Sequence, residues 1–149
     1  MTRFALDTSV ASEIFQRVNS NVLDWLDDTP NERLFLPMPA VGELTRYVAR
    51  DDLNEEELQS RGEDLSQVFG RFAVLEADQR VFTQWGIITA NLPGPTSDRA
   101  RLHIDALIAA TGLAHDMTVA TTNMRDFNNF TRFGVRLYDP SKYQRPDLA

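Results

Sequence analysis

Phe4-Ala5-Leu6-Asp7-Thr8-Ser9-Val10 is an apolar run that stops at a carboxylate and resumes at helical spacing. Residues 3–7 read as a short buried strand, and Val10–Arg17 as the helix after it, with Val10 and Ile14 facing inward. Outward from this unit the alternation repeats. Val22, Leu23, Trp25 and Leu26 mark a short helix, ended by Asp27-Asp28-Thr29-Pro30. Leu34-Phe35-Leu36 is a second strand, and Pro37 and Pro39 pre-set the first turn of a helix running to about Arg50. Asp51–Phe69 reads as a charged helix with an apolar stripe of Leu58, Leu65, Val68 and Phe69. Phe72–Leu75 is a third strand, and Asp78–Asn91 a helix with Val81, Trp85 and Ile88 at helical spacing. Pro93–Asp98 is the clearest loop. A helix over 99–115 then buries Ile104, Leu107, Ile108 and Ala114, and Met117–Thr121 and Val135–Tyr138 complete the strands. Short, uniformly apolar strands alternating with helices predict an α/β fold whose parallel sheet is covered on both faces.

At 149 residues and 42% apolar content, one domain spanning 1–149 with a real core is expected. The absence of cysteine removes disulfides, thiolate catalysis and cysteine-ligated zinc, and suits a reducing cytoplasm. Met1-Thr2-Arg3-Phe4 runs straight into a strand rather than a signal peptide, and no apolar stretch approaches the roughly 20 residues that span a bilayer. A net charge of −7 opposes broad non-specific binding to nucleic acid and favours a basic partner. Lys142 is the only lysine, which excludes a P-loop and makes Schiff-base chemistry improbable. The other cations are arginines, suited to planar phosphate contacts.

Four acidic residues sit beside apolar runs, where a carboxylate is costly to place: Asp7, Glu43, Asp105 and Asp126. In doubly wound sheets ligands bind at the C-terminal ends of the strands. Asp7 closes strand one, Asn123 and Asp126 follow strand four, and Glu43 and Asp105 lie on helices that can flank that edge. If they converge, the pocket suits hard divalent cations such as Mg²⁺ or Mn²⁺. Each residue alone has a plainer reading. Asp7 fits a helix cap, as do Thr8 and Ser9. Glu43 fits an exposed helical glutamate paired with Arg46 at i+3. Asp126 fits a loop residue near Arg125, whereas Asp105 is flanked too closely by apolar residues for so plain a role. His103, His115 and Glu55-Glu56-Glu57 read as ordinary helix residues.

These motifs resemble the PIN-domain ribonucleases, in particular VapC toxins of toxin–antitoxin pairs. Leu6-Asp7-Thr8-Ser9-Val10 is similar to that family's opening, and its continuation through Ser12-Glu13 to the FitB-like branch. Val41-Gly42-Glu43-Leu44 resembles the second acidic motif, and Asp105-Ala106-Leu107-Ile108-Ala109-Ala110-Thr111 the third. Val119-Ala120-Thr121-Thr122-Asn123 with Arg125-Asp126-Phe127 resembles the last. The resemblance runs from residue 4 to about 140. It implies a PIN-like fold, a short parallel sheet sandwiched between helices, and Mg²⁺- or Mn²⁺-dependent cleavage of RNA. It further implies a homodimer and a cognate VapB-like antitoxin. Asp7, Glu43 and Asp105 become candidate metal ligands, with Asp126 as a fourth catalytic carboxylate. Two cations could clamp the attacking and leaving oxygens of a phosphodiester while water attacks in line. Thr8, Ser9, Thr121 and Asn123 would orient carboxylates or water. Arg46, Arg99 and Arg101 are candidates for RNA phosphates, with surface ion pairing as the alternative. Three departures stand out: Asn123 occupies a position where many relatives carry the fourth acid, Pro37 and Pro39 replace a Ser/Thr-rich segment, and Asp116 replaces a helix-ending glycine.

Rival chemistry fits poorly. A phosphatase with an aspartate nucleophile commonly carries a second aspartate where Ser9 stands, and both it and a receiver domain need a lysine that is missing. The remaining alternatives are a PIN-fold interaction module with weak or no turnover, and a housekeeping nuclease without an antitoxin.

Overall fold

Five parallel strands lie in the order β3-β2-β1-β4-β5 in the computed structural model, which describes residues 1–147. They are β1 (Phe4–Leu6), β2 (Leu34–Pro37), β3 (Ala73–Leu75), β4 (Thr118–Ala120) and β5 (Leu137–Tyr138). Phe4 pairs with Leu34 on one side and Thr118 on the other, so β1 is the sheet's centre. Parallel neighbours cannot be joined by a tight turn, so helices carry the chain between strands. These are α1 (Thr8–Ala11), α2 (Glu13–Gln16), α3 (Ser20–Asp28), α4 (Met38–Thr45), α5 (Glu55–Arg71), α6 (Gln79–Ala90), α7 (Thr96–Arg101), α8 (His103–Ala114) and α9 (Met124–Phe127). The expected parallel sheet flanked by helices is present.

The core sits on both faces of the sheet. Ala5, Leu6, Leu34, Leu36, Val119 and Ala120 are fully buried. Phe4 meets Trp25 edge-on at 5.0 Å, which places Trp25 in the core. Helix α8 packs on the centre of the sheet, against β1, β2 and β4, with Ala106, Ile108, Ala109, Ala110, Thr111 and Gly112 buried. Gly112 is required by that approach: a Cβ there would lie 2.7 Å from Cγ2 of Val119. The helix then stops at Asp116, whose φ of +55° is the left-handed conformation that a helix-ending glycine would take.

Several boundaries differ from the sequence reading. The helix after β1 begins at Thr8, because Asp7 caps it, and breaks at Ser12 into α1 and α2. Helix α4 ends at Thr45 rather than near Arg50; Arg50 turns instead onto Asp52, 2.7 Å away. Helix α5 begins at Glu55 because Asn54 and Glu57 form a reciprocal capping box, which also explains the acidic run in its first turn. Leu65 and Val68 of its stripe are buried, whereas Leu58 and Phe69 are 49% and 38% exposed. The helix expected over 99–115 is two helices: α7 starts already at Thr96, and the chain bends at buried Leu102 before α8. That bend turns Ile104 outward, 45% exposed, against its expected burial. Among the described residues no helix is long and apolar enough to cross a membrane.

Candidate active site

The C-terminal ends of β1 and β4 meet where the strand order reverses direction, and Asp7 stands at that point. Its backbone N–H donates to the Ala120 carbonyl at 2.9 Å, extending the sheet by one bond past Leu6. Its carboxylate is almost wholly buried, 4% exposed, and is met by three donors. The Thr8 N–H donates to Oδ1 at 2.8 Å. The hydroxyls of Ser9 and Thr121 donate to Oδ2 at 2.9 and 2.7 Å. Burial raises the Asp7 pKa, and the bonds from Thr121, Ser9 and Thr8 oppose that rise. Asp7 is therefore a helix cap and a buried carboxylate at once.

The hydroxyls extend this network to the neighbouring segments. Thr8 Oγ1 donates to Glu43 Oε1 at 2.7 Å, tying α4 to the end of β1. Ser9 Oγ accepts from the Thr122 N–H at 3.2 Å, and Thr121 Oγ1 accepts from the Asn123 N–H at 3.0 Å. Each hydroxyl thus donates to a carboxylate, and two of them also hold the loop after β4 in place.

Asp105 comes from α8, half-buried, with no donor to its carboxylate among the described residues. Its pKa is pushed up to about 7, first by burial and then by the negative charges of Asp7, Glu43 and Asp126. The charges of Asp7, Glu43 and Asp126 are thus all felt at Asp105. Asp126, in α9, is held differently. Its Oδ2 accepts from Arg101 at 2.9 Å and from Asn123 Nδ2 at 3.1 Å. The Asn123 bond and, against burial, Arg101 hold its carboxyl below the usual range.

Among the described residues no three acidic or imidazole side chains are already drawn up as a ligand set for one cation. Asp7 and Glu43 are instead turned onto hydroxyls, and Asp126 onto Arg101. The donor chemistry nonetheless fits a hard divalent cation, because all four groups offer carboxylate oxygens and Asp105 carries their mutual repulsion.

Other expectations need correction. Glu43 is partnered by Thr8, not by Arg46, which is exposed on the next turn. Asp126 is not a loop residue beside Arg125; it lies in a short helix and pairs with Arg101. Arg99 turns back to donate to Thr96 Oγ1 at 3.0 Å, and its Nε is buried without a partner, so it faces its own helix rather than the site. Arg101 is at the site, as a partner of Asp126. Two residues at the site were given no role there by the sequence reading. Asn129 donates to the Asp126 carbonyl at 2.7 Å, and Arg125 lines the same pocket as Arg101. The i+3 spacing of Asp126 and Asn129 is the signal by which the first could have been found.

Known proteins share this fold. The PIN domain family profile matches residues 4–132. Plasmid stability protein StbB of Pseudomonas syringae pv. tomato is 33% identical over 141 residues, covering 91% of this chain and 96% of that protein. The crystal structure of FitAcB from Neisseria gonorrhoeae superposes with a TM-score of 0.70 at 28% identity, over 93% of this chain and 99% of that one. DNA-bound VapBC from Salmonella typhimurium gives a TM-score of 0.74 over 94% and 99% of the two chains; at 20% identity it speaks for the fold alone.

Proposed function

The chain belongs to the PIN domain family, and from that premise we propose that it is a Mg²⁺- or Mn²⁺-dependent endoribonuclease, the toxin half of a toxin–antitoxin pair. The observation that carries this reading is the hydrogen-bond network at the end of the central strands, in which Thr8 joins Glu43 to the Asp7 segment and Thr121 and Asn123 join Asp7 to Asp126, with Asp105 within reach of their charges. The likeness to StbB and FitAcB supports the toxin role.

Asp7, Glu43 and Asp105 would hold the cation. When bound, it supplies positive charge at the phosphodiester and acidifies an attacking water. The chain's own residues do the rest. Thr121 and Ser9 fix the Asp7 carboxylate, so its oxygens need no reorganisation when substrate arrives. Thr8 holds Glu43 and must yield that oxygen for it to become a ligand. Asp105 must lose the proton that its neighbours favour. Asp126, with Asn123 beside it, adds negative charge at the edge and supports the other three. The chain's net charge of −7 and its acidic cluster suit an antitoxin with a basic segment that pairs with these carboxylates. A homodimer in the cytoplasm completes the reading.

The test is cleavage of single-stranded RNA by the purified chain, with and without chelator, followed by titration with the product of the neighbouring reading frame. Chelator-sensitive cleavage that stops at a one-to-one ratio is expected. Cleavage without inhibition by a folded partner would leave a housekeeping nuclease. Inhibitor binding without cleavage would leave an interaction module.

A further inference from the structure

Beside the carboxylates, between α7 and α9, lies an open pocket of about 590 Å³ lined by Arg101, Arg125, Asn123, Asp126, Asn129 and Asp98, among others. Its volume falls in the range of small-molecule sites, about 300–1,000 Å³. The lining balances Arg101 and Arg125 against Asp98 and Asp126, in a chain that is acidic overall. Arg101 and Arg125 face one polar cavity that shares Asp126 and Asn123 with the acidic cluster.

From this juxtaposition we infer that the pocket is a nucleotide subsite: it takes the ribonucleotide adjoining the cleaved bond, with Arg125 and Arg101 on its phosphate. The inference rests on the ribonuclease reading and adds where the neighbouring nucleotide sits. Arginine is the side chain that best matches a phosphate oxygen pair. Arg125 is exposed, and no ion pair or side-chain hydrogen bond engages it among the described residues. Arg101 is engaged once, by Asp126, and its side chain is still 58% exposed, so it can turn from Asp126 to a phosphate without leaving a buried charge. Asp98 also lines the pocket. An acceptor beside two arginines disfavours a simple anion trap. It favours a ligand that carries both a phosphate and donor groups, as a nucleotide with an exocyclic amine does. Asp126 and Asn123 form part of the pocket wall, and the Asn123 N–H donates to the Thr121 hydroxyl that holds Asp7, so the pocket adjoins the carboxylates.

Arg125 is a positioning residue here, because it grips a phosphate that does not react. Such a contact holds substrate equally in the ground and transition states, so its loss raises KM and spares kcat. Two measurements are made in parallel on the full chain. The first is Mn²⁺-dependent cleavage of a defined single-stranded RNA by wild type, Arg125→Ala and Arg125→Lys. The second is equilibrium binding of a labelled RNA pentamer, by anisotropy, to the same proteins. Arg80→Ala, at an exposed ion pair on α6, is the control for general charge loss.

The expected result is a rise of about tenfold in KM for Arg125→Ala with kcat within about twofold, as one lost charge-assisted contact implies. Pentamer affinity falls by the same factor, the salt dependence of binding loses about one phosphate contact, and Arg125→Lys recovers part of the loss. If the wild type cleaves and Arg125→Ala keeps its KM and its pentamer affinity, the subsite is overturned and the nuclease reading stands. If the wild type cleaves no RNA, the nuclease reading fails. In that event pentamer binding lost in Arg125→Ala but kept in Arg80→Ala still supports the pocket as a nucleotide site, and pentamer binding that is absent or equal in all variants overturns it.

Discussion

The two sides of the acidic cluster are built on different principles. On the side of β1 and β4, Asp7 is buried at the centre of the sheet and fixed by the amide of Thr8 and the hydroxyls of Ser9 and Thr121. On the side of α7 and α9, Asp126 is held by Arg101, whose side chain is largely exposed, and by Asn123. Neutral donors in a buried network keep their geometry whatever binds nearby, whereas an exposed ion pair costs little to break. The first side is thus a fixed anchor, and the second an adjustable edge. The contrast predicts a graded series of effects.

The largest falls at the anchor. Asp7→Asn should keep the fold and lower RNA cleavage on the order of 1,000-fold, the scale on which loss of a central electrostatic group is felt. Asp126→Ala should be milder, about 10- to 100-fold, because Glu43, Asp105 and Asp7 remain; this is the scale for residues that support metal ligands. Equal losses in the two variants, measured in one cleavage assay, would erase the distinction between anchor and edge.

Stability should show the same asymmetry. Thr121→Val removes a buried donor to Asp7 and the acceptor for the Asn123 N–H. Urea unfolding should find it about 1–3 kcal/mol less stable, the cost of leaving buried polar groups unpaired. Arg101→Ala, at the exposed pair, should lie within about 1 kcal/mol of wild type. A larger loss for Arg101→Ala than for Thr121→Val would mean that the edge, not the anchor, is the rigid part.

The anchor was largely legible in the sequence and the edge was not, for physical reasons. Asp7, Thr8 and Ser9 are consecutive, and the apolar strand before them and helix after them are local signals. Thr121 follows a strand of the same kind, and a parallel sheet brings two strand ends together almost automatically. Asp126 meets Arg101 across 25 positions of sequence, through a bend at Leu102 that no periodicity announces. The same bend hid the exposure of Ile104. The start of α5 was readable, since Asn54 and Glu57 form a capping box at fixed spacing. The charged run around it drew the helix too early instead.

The smallest effect concerns pH. The folded pKa of Asp105 is about 7, above its ordinary 3.8, because of burial and the neighbouring charges. The folded chain therefore holds a proton that the unfolded chain releases first. The stability from that proton is full below about 3.8 and is lost as pH rises through about 7. For this half-exposed group the metal-free protein should lose about 2–4 °C of Tm between pH 5 and pH 8, on the order of 1 kcal/mol after solvent screening. Asp105→Asn should flatten that slope, and Mn²⁺ should restore stability at pH 8 in the wild type only. An unchanged slope in Asp105→Asn would show that the shared repulsion lies elsewhere.

The most direct test of the central claim is end-group analysis of RNA cut by the purified chain in Mn²⁺. Attack by water at a carboxylate-held cation site needs no ribose 2′-hydroxyl as nucleophile, so the products should carry a 5′-phosphate and a 3′-hydroxyl, and chelator should abolish them. Products ending in a 2′,3′-cyclic phosphate, formed equally well in chelator, would contradict the account.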